Sequence, residues 1–250
     1  MTRMSPAFPG GSMMQTACDR RSSVWRSVAA LAATAAVTGL AMHAMAADPD
    51  WPLVFEENFS DGAGRWEPTD PAAWSLRRDG ERAVWGLNRR KSDYQPPVRS
   101  PHNVALVKGL ELSDTLITFR VRSTRDTGNH RDCCVFFNYR DPQHFYYVHL
   151  GAKPDPASGQ IMIVNEADRR PLTTNTKPVP WNDRWHTVKL LRDTVEGSIE
   201  VYFDDMTTPL MQVRDTAFTS GRVGIGSFDD MNDFTDVVIR GHVPTAPEPQ

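Results

Sequence analysis

Disulfide chemistry is nearly absent from this sequence. Of 250 residues only three are cysteine, and two of these, Cys133 and Cys134, are adjacent. Adjacent cysteines cannot staple distant segments. Because successive strand side chains point to opposite faces, they are expected to be two separate thiols rather than a strained vicinal disulfide. A basic excess is also lacking: 28 Lys and Arg stand against 31 Asp and Glu, for a formal net charge of −3. With no basic stripe to track phosphates, nucleic acid is not the expected partner. The zinc spacings H-x-H and H-E-x-x-H do not occur, and the histidines are scattered. From Trp51 onward no amphipathic stretch is long enough to argue for a helix.

The apolar run Val28 to Leu40 is short of the roughly 20 residues that a bilayer crossing needs. It is preceded by Arg20, Arg21 and Arg26 and followed by Ala44-Met45-Ala46. That order of basic, apolar and small residues is a secretory signal cleaved after Ala46. The pair Arg20-Arg21 also admits twin-arginine export, although Ser22-Ser23-Val24 matches that pattern poorly. Removing residues 1–46 leaves 204 residues, enough for one domain with a hydrophobic core. The signal takes four basic residues and one acidic residue with it, so the remainder carries 24 basic and 30 acidic residues, a net −6. The expected product is secreted or periplasmic, monomeric, and without a membrane span.

Short β-rich runs recur between clusters of Gly, Pro, Asp and Asn. Expected strands are 53–59, 83–87, 104–107, 115–122, 133–139, 145–150, 161–165, 186–192, 198–203, 223–228 and 235–240. In Ile117, Phe119 and Val121 against Thr118, Arg120 and Arg122, one set belongs in a core and the other faces outward. Ile199, Val201 and Phe203 show the same sidedness against Glu200, Tyr202 and Asp204. Half-buried strands of this kind predict an all-β domain over residues 47–241, two antiparallel sheets packed face to face. The Pro-rich tail from His242 to Gln250 is expected to be disordered.

The order of segments then resembles a family. Phe55-Glu56-Glu57-Asn58-Phe59 with Gly64-Arg65-Trp66 is similar to the opening of concanavalin-A-like jelly rolls. Asp183-Arg184-Trp185-His186 to Leu190, with Ile199 to Asp205, resembles their W-H-x-V and V-Y-x-D-G hairpin. Gly221 to Gly226, with Phe234 to Ile239, resembles their closing strands. The superfamily includes laminin-G-like and pentraxin-like modules, 3-keto-glycoside hydrolases, other glycoside hydrolases and polysaccharide lyases. The resemblance implies a polysaccharide or oligosaccharide bound on the concave sheet, and often a structural calcium. For calcium it points to Glu57 and Asp236 near the two chain ends, oxygen donors of the kind this ion takes.

Polar and aromatic residues are densest between His130 and His149. If Tyr146, Val148 and Leu150 point inward, Phe145, Tyr147 and His149 share the other face; by the same alternation Asn138 and Arg140 point outward. A face with Arg120, Arg122, Asn138, Arg140, Tyr147 and His149 suits an acidic glycan, because guanidinium groups pair carboxylates bidentately. Uronate β-elimination is one expectation there, with Asn138 and Arg140 neutralising the carboxylate and His149, His130 and Tyr147 as base and acid. The alternative is that Tyr147 and His149 are satisfied core residues and that His130-Arg131-Asp132 organises a loop. Glu200 and Asp204 have the strand spacing of a retaining glycosidase pair but read as a solvated hairpin. Among the tryptophans, Trp181 has the loop setting that suits ligand contact, while most of the others are expected to anchor the core. The function expected is an exported carbohydrate-active domain that binds a polysaccharide and either cleaves it or acts as a lectin-like or adhesion module.

Overall fold

The computed structural model describes residues 48–244; the expected export signal and the tail from residue 245 lie outside them. Fifteen strands follow in chain order: β1 (Leu53–Glu57), β2 (Trp66–Pro68), β3 (Trp74–Asp79), β4 (Arg82–Leu87), β5 (Asn103–Leu112), β6 (Thr115–Ser123), β7 (Cys134–Asp141), β8 (His144–His149), β9 (Gln160–Asn165), β10 (Arg170–Pro171), β11 (His186–Asp193), β12 (Ser198–Phe203), β13 (Met211–Arg214), β14 (Gly221–Ser227) and β15 (Asn232–Gly241). They form two antiparallel sheets. The first runs β13-β12-β11-β6-β15-β4-β3, with β1 also paired to β15; the second runs β10-β9-β8-β7-β14-β5-β2. The all-β sandwich read from the sequence is thus the fold. Beyond the last strand, His242 is held by Asp114, its backbone N–H donating to the Asp114 carbonyl and its ring 3.0 Å from the carboxylate.

The inner faces meet in one continuous core. Ile117, Phe119 and Val121 from β6 and Ile199, Val201 and Phe203 from β12 lie in it, opposite Val135, Phe137, Tyr146 and Val148 from the second sheet. Each fully buried Leu, Ile, Val or Phe contributes about 1.5–3 kcal/mol relative to exposure. One end is aromatic: Trp74 stacks on Trp85 at 4.2 Å, and Trp66 and Phe59 tilt against Trp85 at 5.6 and 5.7 Å. Three of the seven tryptophans are therefore core anchors.

Strand β7 departs from simple alternation. Its register with β8 shifts between Phe137 and Asp141, and Asn138 adopts φ 42°. At this bulge the side chains change sides. Asn138, expected to face outward, is fully buried and crosses the sandwich: its Oδ1 accepts from Arg192 Nε of β11 at 3.1 Å, and its Nδ2 donates to the Leu112 and Ser113 carbonyls. Tyr139, expected inward, joins the outer face instead. Arg192 is itself buried and donates to the Asp215 and Phe218 carbonyls at 2.8 and 2.9 Å.

Outside the second sheet, Phe136, Tyr139, Phe145, Tyr147, Met162 and Val164 form a second apolar cluster, against which Val98 and Phe228 pack. The segment between β4 and β5 is tied down there: Arg169 N–H donates to the Arg99 carbonyl, Arg99 N–H to Asp168, and Arg90 reaches Asp229. The outer face expected to be open to a glycan is buried at these positions.

Asn138→Ala is expected to lower the unfolding free energy by about 3 kcal/mol, as a buried guanidinium N–H loses its acceptor and alanine takes a left-handed backbone. Asn138→Gly should lose about 1 kcal/mol less, because glycine relieves the backbone term. Urea midpoints of the three proteins check the ranking.

Candidate functional site

At one end of the second sheet, the loops before β7, after β8 and after β14 surround a cleft of about 330 Å³. Asn129 and His130 stand on one side, Lys153, Asp155, Ala157 and Ser158 on another, and Asp132, His149, Arg169, Phe228 and Asp229 complete the lining. His130 is exposed, one residue beyond Asn129 in a short 3-10 turn begun by Gly128, whose φ of 58° favours glycine.

Planar groups are layered in this cleft. The His149 ring stacks on Phe228 at 5.4 Å, and the Arg169 guanidinium lies over the Phe228 ring at 3.9 Å. Arg169 Nη1 also donates to the Tyr147 hydroxyl at 3.2 Å. The guanidinium is thereby held by a ring and by a hydrogen bond, with its other donors uncommitted to protein among the described residues. A donor fixed this way loses little side-chain freedom when it meets a ligand.

His149 is 5% exposed and both its nitrogens face protein acceptors. Nδ1 sits 3.0 Å from the Ala157 carbonyl, and Nε2 lies 3.8 Å from Asp132 Oδ2, an ion-pair rather than a hydrogen-bond distance. Asp132 also accepts from Ser227 Oγ, Phe228 N and Asp229 N. Burial alone would raise its pKa, but His149 and these donors outweigh it and hold the carboxyl below the usual range. The Tyr147 hydroxyl lies beneath Arg169, and burial pushes its phenol far up, so it stays neutral. Of the three residues expected to act as acid and base, His130 and His149 line one cleft and Tyr147 sits one layer behind it. Only His130 has an exposed ring.

The other expected residues lie elsewhere. Arg120 and Arg122 stand on β6 of the first sheet, facing away from the second, because alternation fixes the side of a strand but not the sheet it joins. Asn138 is committed to Arg192, and Arg140, past the bulge, lies 5.1 Å over the Phe218 ring. Trp181 packs edge-on to His186 and Phe203 and donates from Nε1 to the Leu150 carbonyl at 2.7 Å, which makes it an anchor for its loop. Glu57 and Asp236 come from paired strands, but Glu57 accepts from Phe59 N at 2.8 Å and from Arg65 Nη2 at 2.9 Å, and Asp236 lies 3.7 Å from Arg82. In this arrangement each of the two carboxylates faces a guanidinium. No cluster of three or more His, Cys, Asp or Glu suited to a metal occurs among the described residues. Cys133 and Cys134 are free thiols, Cys133 in the core between the sheets and Cys134 in the outer cluster. Asp204 binds the His186 ring at 2.8 Å, and Glu200 accepts from Tyr202, so the glycosidase spacing is used within the hairpin.

Lys153, Asp155, Arg169 and Phe228 were not singled out from the sequence. Lys153 and Asp155 belong to a Pro-flanked turn, and Phe228-Asp229-Asp230 interrupts an otherwise apolar closing region. Those breaks in pattern were the available signal. Asp230, beside Asp132, accepts from Ser123 Oγ at 2.7 Å and Asp132 N at 3.3 Å. Burial, with the Asp132 charge adding to it, pushes its pKa up to about 6. A carboxyl whose folded pKa exceeds its unfolded value destabilises the fold as pH rises through that interval. From pH 4 to pH 7 this group should remove up to about 3 kcal/mol of stability. Asp230→Asn should abolish that slope, seen as a flatter profile of unfolding free energy against pH.

No protein-family model matches the chain, and no curated protein matches it in sequence. Solved structures do match its fold. The carbohydrate-binding module CBM66 from Bacillus subtilis is 14% identical, with a TM-score of 0.51 over 71% of this chain and 96% of that one. Domain 4 of AbnA, an extracellular arabinanase from Geobacillus stearothermophilus, in complex with arabinotriose, is 12% identical, with a TM-score of 0.51 over 79% of this chain and 96% of that one. The cellulose-induced protein Cip1 is 13% identical, with a TM-score of 0.51, covering 78% and 100% respectively. Identities this low speak to the fold alone, a two-sheet antiparallel β-sandwich that this chain shares with these structures.

Proposed function

We propose that this is an exported saccharide-binding domain whose ligand occupies the cleft between His130 and Phe228. The observation that carries the reading is the fixed guanidinium of Arg169, layered on Phe228 and braced by Tyr147, in a cleft of about 330 Å³. Sugar hydroxyls both donate and accept. Around Arg169 the cleft offers Lys153 and Asn129 as donors and the Asp155 and Asp229 carboxylates as acceptors. Clefts that bind small ligands combine apolar surface with a few placed polar groups in this way. The fold shared with a carbohydrate-binding module and with an arabinotriose-bound domain supports the same reading.

Binding is favoured over cleavage because His149 is buried, with Nδ1 at the Ala157 carbonyl and Nε2 turned toward Asp132, and the Tyr147 hydroxyl is buried beneath Arg169. A lyase reading would rest on His130 as the base.

Titration of a panel of neutral and acidic oligosaccharides should give a binder. Arg169→Ala should weaken it about tenfold or more, and Arg169→Lys should not restore it, since an ammonium can neither lie flat on Phe228 nor present a fork. Thermal melts of both variants control for folding. Reducing ends and ultraviolet absorbance should stay flat across the panel; a signal in either channel that disappears in His130→Ala would replace binding with catalysis.

A further inference from the structure

The first sheet carries a separate constellation on its outer face. Arg122 donates to Asp79 Oδ2 and to Asp233 Oδ2, both at 3.1 Å, and Arg77 pairs with Asp233 from the other side. Asp233 is 4% exposed, so this pairing is largely shielded from water. Gly86 makes room for it: a Cβ there would collide with the Arg77 guanidinium and the Asp233 carboxylate. The Trp185 indole N–H donates to Asp79 Oδ2 at 2.8 Å, which fixes the ring above the strands. Around that half-buried ring lie the guanidinium groups of Arg122, Arg82 and Arg120, at 4.9, 5.4 and 5.7 Å from its centroid.

The charges do not cancel. Arg77, Arg82 and Arg122 are matched by Asp79, Asp233 and Asp236, whereas Arg120 has no carboxylate within ion-pair distance among the described residues. Arg122 also lines a neighbouring surface cavity of about 410 Å³ with Thr124 and the exposed Arg125. An aromatic ring with one uncommitted guanidinium beside it, in a chain of net negative charge, is a local attractor for a flat anion.

We propose that this face binds a carboxylated polysaccharide, with a uronate ring against Trp185 and its carboxylate held by the Arg120 fork. The apolar C–H face of a pyranose suits an indole, and a guanidinium takes a carboxylate bidentately. An extended acidic peptide fits less well. Strand β6 is already paired on both sides, by β11 and β15, so no backbone edge is free for main-chain bonding. The platform lies on the opposite sheet from the cleft and does not rest on the saccharide reading made for it.

The test titrates the purified protein with galacturonate, glucuronate and mannuronate oligomers and with their methyl esters, following heat and tryptophan fluorescence. At least one acid series should bind, with affinity falling as salt rises, and its ester should bind about tenfold more weakly. Arg120→Glu, which breaks no ion pair and should melt like the parent, is expected to cost about tenfold or more. Trp185→Ala should abolish the fluorescence change, and in Arg169→Ala, which disables only the cleft, the acid binding that depends on Arg120 should persist. The proposal is overturned if no acid series binds, if Arg120→Glu binds as the parent does, if esters bind as well as acids, or if Arg169→Ala removes the binding. It is also overturned if a poly-glutamate peptide binds as tightly as the oligomers.

Discussion

A single hydrogen bond between the layers, Arg192 Nε to Asn138 Oδ1, decides much of this molecule's geometry. A guanidinium buried between two sheets must have its donors satisfied, since a lost partner exposes it to the full desolvation penalty. Asn138 supplies an acceptor only by turning inward, and on β7 that requires the bulge and the left-handed backbone at φ 42°. Everything after the bulge is reversed. Tyr139 moves into the outer cluster with Phe136, Phe145 and Tyr147, and that cluster is broad enough to seat Val98 and Phe228. Phe228 in turn carries Arg169 and His149 at the cleft. A core requirement in the first sheet thus reaches the outside of the second.

The strands legible in the sequence and the strands that were not differ by position in the sheets. All eleven expected segments are strands. The four that were missed, β2, β3, β10 and β13, are the four ends of the two sheets. An edge strand pairs on one side only, tends to be short, and carries charge or proline that resists pairing with other chains. Pro68 and Pro171 terminate two of them, and Arg77, Arg78 and Asp79 run through a third. Period-two hydrophobicity is the record of burial between neighbours, and edges have less of it to record.

The candidate site was legible in part for a related reason. Alternation placed Tyr147 and His149 on the outward side of β8 and Ile117, Phe119 and Val121 on the inward side of β6. It could not say which sheet a strand would join, so Arg120 and Arg122 were assigned to the same surface as His149 although they lie on β6, in the other sheet. Nor could it foresee that segments far apart in sequence, near 94–102 and 166–170, would meet over one face through a backbone hydrogen bond, Arg169 N–H to the Arg99 carbonyl. Such bonds are indifferent to side-chain type and leave no pattern. His130 and His149, by contrast, flank β7 and β8, and hairpin pairing brings them to one end of the sheet.

The neighbouring thiols Cys133 and Cys134 sit in different layers, one sealed between the sheets and the other beneath the outer cluster, and burial raises the pKa of both. Modification by a thiol reagent requires each to become a solvated thiolate. Lifting the outer covering alone would uncover Cys134, whereas Cys133 answers only when the sandwich itself separates. Two consecutive residues therefore serve as built-in reporters of two different openings, and the order in which they react gives the hierarchy of breathing motions in the fold without any introduced label.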